Sequence, residues 1–210
     1  MATSRAESTE VAATLYLVRH AAHDRVRDTL CGRMPGVTLG EEGRRQAARL
    51  AARLAGEPIA AVHSSPLERA RETAAPIAQK FNMPGQVSEA LNEIDFGAWT
   101  GRRFDGLRDD VTWQSWNRAR SATRPPGGES FMAAQARVVP FLKGLAERHP
   151  DAGVVAVTHG DLIRAALCAF LNCQSLDDFR LFEIAPASVT TLVLWGDGWK
   201  VVGLNEAIAA

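Results

Sequence analysis

The amino-acid sequence predicts an α/β fold: a three-layer α/β/α sandwich around a mostly parallel sheet with an antiparallel edge. Short apolar runs of strand length occupy 14–19, 59–64 and 153–159, and each is followed along the chain by a segment with helical spacing of apolar residues. Two more strand-like segments close the sequence. A stretch near 102–128 interrupts the alternation, and we predict that it is a small insertion over one edge of the sheet.

The first half of the chain contains two strand–helix units. TLYLVR (14–19) is a continuous apolar run, as expected of a strand that is buried on both faces, and a helix is predicted from 42 to 54. IAAVHS (59–64) is the second predicted strand. The segment SPLERARETAAPIAQKF is predicted to be the helix that follows, with Ser65 as its N-cap.

The second half repeats the pattern and then closes the sheet. Ser130 is predicted to cap a long helix that ends near His149, and Pro140 inside this helix should kink it. GVVAVTH (153–159) is the third buried strand, and DLIRAALCAFL is its helix. SVTTLVLW and WKVVGL are expected to form an antiparallel hairpin with its turn at Gly196-Asp197-Gly198.

Length and composition fit one domain. Of the 210 residues, 46% are hydrophobic and 23% are charged, so we predict a single domain at 13–210 after a flexible tail at 1–12. The 24 basic residues balance the 24 acidic ones, so charge indicates neither a nucleic-acid nor a membrane partner. No apolar run approaches the length of a membrane span, and the N-terminal segment lacks the apolar region of a secretory signal.

The cysteines indicate a reducing compartment. Cys31, Cys168 and Cys173 are odd in number and lack CxxC spacing, which argues against a disulfide framework and against a structural zinc site. We therefore expect a cytoplasmic protein. The sequence leaves the oligomeric state open, with a homodimer as one option.

The three predicted buried strands end in informative polar residues. They are Arg19-His20, Ser64-Ser65 and Thr158-His159-Gly160. Ligands of open parallel sheets bind at the carboxyl ends of the strands, so these residues and Arg69 should converge on one crevice. Helices that start there present free N–H groups and a positive dipole end, which favour an anion.

The residue types suit phosphoryl transfer. Arginine binds phosphate oxygens with two parallel N–H groups and stays charged, and a neutral imidazole can attack phosphorus. The leaving alkoxide then needs a proton from a carboxylic acid with a raised pKa. LNEIDFGAWTG (91–101) offers Glu93 and Asp95, and this reasoning alone does not choose between them.

These motifs resemble those of the histidine phosphatase superfamily, also called the phosphoglycerate mutase-like family. LVRH (17–20), SSPLERARETA (64–74), LNEIDFGAWTG and VTHGDLIRA (157–165) occur in the family's order, with GRMPGVTLGEEGRRQA (32–47) and PGGES (126–130) as further matches. The resemblance implies a metal-independent enzyme without a cofactor.

The resemblance also implies a role for each matched residue. His20 would form a phosphohistidine, while Arg19, Arg69 and His159 would complete the phosphate pocket. Glu93 would be the proton donor, because the family's acid precedes a hydrophobic-x-x-Gly pattern that aligns with Glu93.

Further substrate contacts are expected from Arg33, His23 and Gly160, and Arg33 resembles a family position near the phosphate. The first motif departs from the family, which usually has Arg-His-Gly, because here Ala21 follows His20. Ala21 should still allow a backbone contact to phosphate if its φ is negative.

Other candidates have two interpretations each. Glu129 either orients a pocket arginine or simply begins a helix, and Asp161 either contacts substrate or is an ordinary acid in the first helical turn. Trp113 and Trp116, spaced i, i+3, fit a packed helix face better than a ligand platform. The 102–128 region is predicted to form part of the pocket wall, with its arginines near a second anionic group.

Three functions fit these observations. The leading hypothesis is a phosphomonoester hydrolase that acts through a phosphohistidine on a small phosphorylated metabolite. The alternatives are a phosphoglycerate mutase-like phosphomutase and a catalytically inactive phospholigand-binding protein. Binding alone does not require an attacking imidazole together with an acid, which argues against the inactive protein. The absence of the mutases' Trp-Asn pair after the first motif, and a chain that ends about 50 residues after His159, favour hydrolysis over the mutase reaction.

Overall fold

A computed structural model describes residues 11–196 and 198–208, which form a six-stranded sheet flanked by helices. The strands are β1 (Val11–Arg19), β2 (Ile59–Ser64), β3 (Gln86–Val87), β4 (Gly153–Thr158), β5 (Val189–Trp195) and β6 (Gly198–Glu206). The α-helices are α1 (Glu41–Leu54), α2 (Glu68–Lys80), α3 (Phe104–Leu107), α4 (Val111–Arg118), α5 (Phe131–Arg148) and α6 (Gly160–Phe170). Short 3₁₀ helices cover Glu89–Leu91, Gly97–Trp99 and Leu176–Leu181.

The sheet is mixed, in the order β3-β2-β4-β1-β5-β6. β1, β2, β3 and β4 run parallel, whereas β5 is antiparallel to both β1 and β6. β4 lies between β1 and β2, and its end is level with theirs, since Thr158 pairs with Arg19 and Val157 pairs with Ser64. The carboxyl ends of the three buried strands therefore meet at one edge.

Apolar side chains of the strands alternate between two cores, as the strand period of two requires. Leu15 and Leu17 of β1 face a core shared with α5 and α6, while Tyr16 and Val18 face a second core with α1 and α2. The buried β4 contributes to both cores. The predicted α/β/α sandwich with a mostly parallel sheet and an antiparallel edge is thus confirmed.

Element boundaries differ from the sequence predictions in two places. β1 begins at Val11, inside the segment predicted as a tail, and the rest of that tail lies outside the described residues. α2 begins at Glu68 with Leu67 as its N-cap, so Ser65 is not the cap that we predicted. The reason is that the Ser65 N–H donates to the Val157 carbonyl at 2.9 Å, which keeps the chain extended past the end of β2.

The remaining segments lie where they were predicted, and the kink at Pro140 stays a prediction. α5 is one helix that continues through Pro140, with Ser130 as its N-cap. β5 and β6 form the expected hairpin, although Asp197 of its predicted turn lies outside the described residues. No helix within residues 11–196 and 198–208 has the length and apolar character needed to cross a membrane.

The 102–128 region forms α3 and α4. Leu107 and Trp116 are fully buried in the core that α5 and α6 share with the sheet. The Trp113 ring packs edge-on against the Trp99 ring, with 5.3 Å between ring centroids. The insertion is therefore anchored by aromatic packing, and Trp116 belongs to the packed face that its spacing predicted.

Candidate active site

A cavity of about 250 Å³ opens at the carboxyl edge of the parallel strands. Its walls come from the loop after β1, the starts of α2 and α6, the loop containing Glu93, and the insertion. The sequence-predicted residues that line it are Arg19, His20, His23, Arg69, Glu93 and Gly160. His159 lies fully buried behind this wall and contacts Arg69.

His20 has one ring nitrogen with an unprotonated lone pair, and this lone pair accepts a hydrogen bond from Arg69 Nε at 3.4 Å. Its main-chain N–H continues the β-ladder to the Thr158 carbonyl, and its Nδ1 lies 2.9 Å from the Ala21 carbonyl. A carbonyl oxygen only accepts hydrogen bonds, so Nδ1 carries the proton and Nε2 is the nucleophilic nitrogen. Burial, followed by the charges of Arg69 and Arg19, lowers the pKa of His20 well below its ordinary value. The ring is therefore neutral at physiological pH.

His159 is fixed from behind by a serine. Its Nε2 lies 2.8 Å from Ser65 Oγ, a hydroxyl that can donate or accept, and its Nδ1 lies 3.3 Å from Arg69 Nη2. The His159 and His20 rings are tilted neighbours, with 5.1 Å between centroids. Burial and the charge of Arg69 lower the pKa of His159 well below its ordinary value.

Two guanidinium groups are anchored by main-chain carbonyls. Arg69, from the first turn of α2, donates from Nη2 to the Gly32 carbonyl at 2.7 Å, and Arg19 donates from Nη1 to the Ile184 carbonyl at 2.6 Å. Arg69 Nη1 and Arg19 Nε are buried without a hydrogen-bond partner among the described residues. Buried donors of this kind favour an anionic ligand.

Glu93 is the carboxyl group at this site. Its Oε2 lies 3.7 Å from His159 Nδ1, and its Oε1 accepts a hydrogen bond from the Ile94 N–H. Burial, together with the negative charge of Asp161, raises the pKa of Glu93 to about 7. Asp95 does not line the cavity, because its Oδ1 caps the following turn by accepting from the Gly97 N–H.

A layer of charged residues behind Glu93 holds its main chain. Arg33 Nε donates to the Glu93 carbonyl at 2.7 Å, and Arg137 Nη2 donates to the same oxygen at 3.2 Å. Glu129 accepts from both guanidinium groups and so links them. Glu129 therefore orients arginines, as one of its two interpretations proposed.

Arg33 lies elsewhere than expected. It is predicted to lie at the phosphate, but it does not line the cavity, because its Nε donates to the Glu93 carbonyl and its Nη2 donates to Glu129. Ala21 differs in a similar way. Its φ is not positive, yet its N–H already donates to Thr73 Oγ1 at 3.0 Å and is not free for a phosphate oxygen.

His23 lies beside the reacting histidine. Its ring stacks on His20 with 5.5 Å between centroids and 28° between planes, and its Nδ1 is buried without a partner among the described residues. Burial and the charges of Arg69 and Arg19 lower the pKa of His23 to about 4, so it is neutral at pH 7.

The insertion supplies the opposite wall, through Phe104, Trp113, Trp116, Asn117 and Arg120. The prediction that 102–128 forms part of the pocket wall is therefore confirmed. Among the arginines of this region, Arg120 lines the cavity. Arg102 pairs with Asp110, and Arg103 pairs with Asp105, both on the surface.

Sequence reasoning missed several residues that the fold brings to this site. Ser65 had a plausible local role as a helix cap, which concealed its bond to His159. Arg137 and Arg120 lie far along the chain from the residues they contact, and no motif marked them. The i, i+3 spacing of Asp161 and Arg164 on α6 was the one available signal, since such pairs meet on a helix surface.

The edge of this α/β sheet brings together two neutral histidines, two anchored arginines and a protonatable carboxyl group. This combination defines a protein that binds and transfers phosphate groups. The model of the histidine phosphatase superfamily (branch 1) matches residues 15–207, so the chain belongs to this superfamily. The predicted family membership is confirmed.

Named relatives include both phosphatases and a mutase. Phosphoserine phosphatase 1 of Hydrogenobacter thermophilus is 33% identical over 183 residues, covering 85% of each chain. A 2,3-bisphosphoglycerate-dependent phosphoglycerate mutase of Thermoplasma acidophilum is 32% identical, covering 84% of each chain. The structure of mycobacterial glucosyl-3-phosphoglycerate phosphatase superposes with a TM-score of 0.84 at 27% identity, covering 93% of this chain and 100% of the other.

The described residues contain no group of three or more His, Cys, Asp or Glu side chains arranged to hold a metal ion.

Proposed function

We propose that this protein is a phosphomonoesterase that hydrolyses a small phosphorylated metabolite through a phosphohistidine at His20. One observation carries the proposal: the unprotonated His20 Nε2 accepts from Arg69 and feels the charge of Arg19, beside a carboxyl group whose pKa is about 7. A binding protein needs the cations but neither the nucleophile nor the acid. These residues therefore argue against the inactive alternative.

In the first step Arg19 and Arg69 bind the phosphoryl oxygens, and His159 supports Arg69 from behind through its Nδ1. The His20 Nε2 lone pair attacks phosphorus and forms the N–P bond while the P–O bond to the alcohol breaks. Glu93 donates its proton to the departing oxygen and becomes a carboxylate. The raised pKa of Glu93 keeps this acid protonated close to neutral pH.

In the second step water replaces the alcohol. The Glu93 carboxylate accepts a proton from the water while the water oxygen attacks phosphorus. The N–P bond then breaks, and inorganic phosphate leaves. His20 returns to its neutral form and Glu93 to its acid form, so protons balance over the cycle.

The size of the cavity supports a small substrate. Its volume of about 250 Å³ lies below the range of about 300–1,000 Å³ that is usual for pockets of drug-sized ligands. The named phosphatase relatives carry phosphoserine or glucosyl-3-phosphoglycerate in their names, which supports a phosphorylated metabolite as the substrate class.

The direct test replaces the nucleophile. His20→Ala should lower the release of phosphate from a panel of phosphate esters by at least about 10³-fold, because the phosphoenzyme cannot form. The matched control is His149→Ala, which removes a half-buried histidine at the end of α5, outside the cavity. Both variants are assayed with and without a chelator. The chelator should leave the rate of phosphate release of each variant unchanged.

An acid-labile ³²P label on the wild type, absent from His20→Ala, would support the covalent step. Full turnover by His20→Ala would rule the mechanism out.

A phosphomutase is the second candidate, and the Thermoplasma acidophilum relative favours it. Both reactions share the first half-step and differ in whether water or a second hydroxyl takes the phosphoryl group. Incubation with 3-phosphoglycerate and a bisphosphoglycerate primer separates them. We expect inorganic phosphate and little 2-phosphoglycerate; rapid, primer-dependent interconversion would establish the mutase instead.

The cytoplasmic setting and the homodimer stay predictions. The three cysteines, Cys31, Cys168 and Cys173, are all free thiols in the structure, in keeping with a reducing compartment. Sedimentation equilibrium of the purified protein would test the homodimer.

A further inference from the structure

Two cysteines lie at the end of α6, and the proposed reaction does not use them. Cys168 is in the last turn of this helix, and Cys173 follows five residues later. Both line a second cavity, of about 290 Å³. The third cysteine, Cys31, lines the active-site cavity instead. The end of α6 therefore carries a pair of thiols away from the catalytic residues.

The way in which α6 ends brings the two cysteines together. Asn172 adopts a φ of +51°, and its N–H donates to the Ala169 carbonyl at 3.2 Å. The Cys173 N–H donates to the Cys168 carbonyl at 2.9 Å. These are the two hydrogen bonds of a Schellman motif, in which the side chains of the residues joined by the longer-range bond often contact each other. Cys168 and Cys173 occupy those two positions.

The same hydrogen bond sets a separation that a disulfide can span. With 2.9 Å between the Cys173 nitrogen and the Cys168 oxygen, standard bond lengths keep the two Cα atoms within about 7 Å of each other. Cysteines whose Cα atoms are more than about 7 Å apart cannot be bridged without movement of the main chain. The main chain at the end of α6 therefore already has a shape that permits a bridge.

The two thiols differ in exposure. Only 4% of Cys168 is exposed, whereas Cys173 is partly exposed. Burial, followed by the charge of Cys173 and a hydrogen bond to it, raises the pKa of Cys168 to about 12. Cys168 therefore keeps its proton near pH 7, and the accessible Cys173 thiol is the one that meets a reagent first.

We propose that Cys168 and Cys173 form a reversible disulfide, so that the end of α6 is a thiol-modification site whose oxidant is a small-molecule disulfide such as oxidised glutathione. Cys173 attacks one sulfur of the oxidant as a thiolate, which forms a mixed disulfide and releases one thiolate. Cys168 then loses its proton and attacks the Cys173 sulfur, which breaks the mixed disulfide and releases the second thiolate.

Electrons and protons balance over these two steps. The two cysteines lose two electrons, and the oxidant gains them and leaves as two thiols, which take up the protons that the cysteines lost. In the mixed disulfide Cys173 carries no negative charge, so it no longer opposes the ionisation of Cys168 that the second step requires.

The bridge fastens to α6 a segment that supports the active site. After Cys173, the chain supplies the Phe182 carbonyl to Arg164 and the Ile184 carbonyl to Arg19. A disulfide that fits the native geometry stabilises a protein mainly by restricting its unfolded chain, and the effect of a short loop is modest. Oxidation should therefore raise the melting temperature by about 3–8 °C.

The experiment is equilibration of the protein with oxidised glutathione, followed by alkylation in denaturant and tryptic digestion. Both cysteines of the pair lie in one tryptic peptide, 165–180, and Cys31 lies in another, 28–33. We expect peptide 165–180 to lose two hydrogen atoms and to resist alkylation until a reductant is added. Peptide 28–33 should be alkylated throughout. The melting temperature of the oxidised protein should rise as stated, and the reductant should reverse the rise.

Serine variants separate the roles of the two thiols. Cys168→Ser should stop at the mixed disulfide, with one glutathione on Cys173, because the second thiol is missing. Cys173→Ser should take up little glutathione, because its remaining thiol of the pair is buried. The matched control is Cys31→Ser, which should form the bridge as the wild type does. The peptide map of the wild type decides the matter even if a serine at either position prevents folding.

The other outcomes overturn the proposal. Two alkylated cysteines in peptide 165–180 of the treated wild type would show that the pair only packs at the end of the helix. A mixed disulfide that persists on Cys173 of the wild type would show that Cys168 cannot complete the exchange. A bridge that leaves the melting temperature unchanged would contradict the fastening of the segment after Cys173. None of these measurements depends on phosphatase activity.

Discussion

At the scale of single residues, the environment of Glu93 matters most to the chemistry. A carboxyl group exposed to water would be ionised at pH 7 and could not donate a proton. Burial and the nearby charge of Asp161 raise its pKa to about 7, against the opposing effect of Arg69. The folded protein therefore keeps an acid ready within reach of the leaving group.

The pH profile should show this acid. Because the pKa of Glu93 is raised, its proton is present below about pH 7 and is lost as the pH rises above that value. We expect kcat/KM for an alkyl phosphate to fall about tenfold for each pH unit above 7. Glu93→Gln should remove this limb and lower the rate by about 10²- to 10⁴-fold.

An aryl ester serves as the control for Glu93. The p-nitrophenolate leaving group needs no proton, so Glu93→Gln should slow p-nitrophenyl phosphate far less than glycerol 3-phosphate. Equal losses on both esters would show that Glu93 acts in some other way.

Ser65 is the residue whose importance only the structure shows. We expect Ser65→Ala to lower kcat by about tenfold, because the His159 ring loses the hydroxyl that orients it. Ser65→Thr, which retains a hydroxyl, should recover part of the rate. Thermal unfolding of both variants gives the stability reference, and unchanged kcat in Ser65→Ala would contradict the positioning role.

At the scale of elements, the loop after β1 depends on its fit against α1. A Cβ atom at Gly43, near the start of α1, would lie 1.9 Å from the Ala22 carbonyl oxygen. Real side chains do not tolerate such a distance, so only glycine lets the loop approach the helix. The Gln46 side chain also accepts from the Ala22 N–H, which holds the same stretch of main chain.

We therefore predict that Gly43→Ala lowers both the melting temperature and kcat, since the loop that carries His20 and His23 must move. A destabilisation of about 1–3 kcal/mol is expected for overpacking of this kind. The matched control is Gly56→Ala, where an added Cβ meets no atom within 4 Å. Differential scanning calorimetry and steady-state kinetics on both variants would check it, and similar behaviour of the two would refute the packing argument.

The loop that carries Glu93 has its own support. Gly97 adopts a φ of +50°, and a Cβ there would lie 2.2 Å from the Pro126 carbonyl oxygen. Arg33, Arg137 and Glu129 hold the other side of the loop. The acid is thus positioned by contacts from two distant parts of the chain.

At the scale of the whole molecule, the chain is neutral, but positive charge is concentrated at one point. Arg19, Arg69, Arg120 and Arg164 all line a cavity whose only fully ionised acid among the described lining residues is Asp161. Such a concentration repels itself and raises the free energy of the folded state until an anion binds.

Binding of inorganic phosphate should therefore raise the melting temperature. At a phosphate concentration 100 times the Kd, mass action adds about 2.7 kcal/mol of stability. The shift should persist in His20→Ala, which keeps the arginines, and should shrink strongly in Arg69→Met. If sodium sulfate and sodium chloride at matched ionic strength raised the melting temperature as much as phosphate does, the shift would come from general salt screening instead.

The sequence by itself determined the fold class and the main site residues. Its apolar runs were short and separated by helical patterns, and these local regularities dictate the sheet, its parallel strands and the crevice at their ends. Arg19, His20 and His159 lie at the ends of buried strands, so their convergence followed from topology alone. The family resemblance selected Glu93 over Asp95.

Only the tertiary structure decided which side chains meet at a distance. Ser65 contacts His159, Arg33 donates to the Glu93 carbonyl, and Arg120 pairs with Asp161. The physical reason is that each of these choices depends on which donors and acceptors remain unpaired after the elements pack, and no local pattern of the sequence encodes that result.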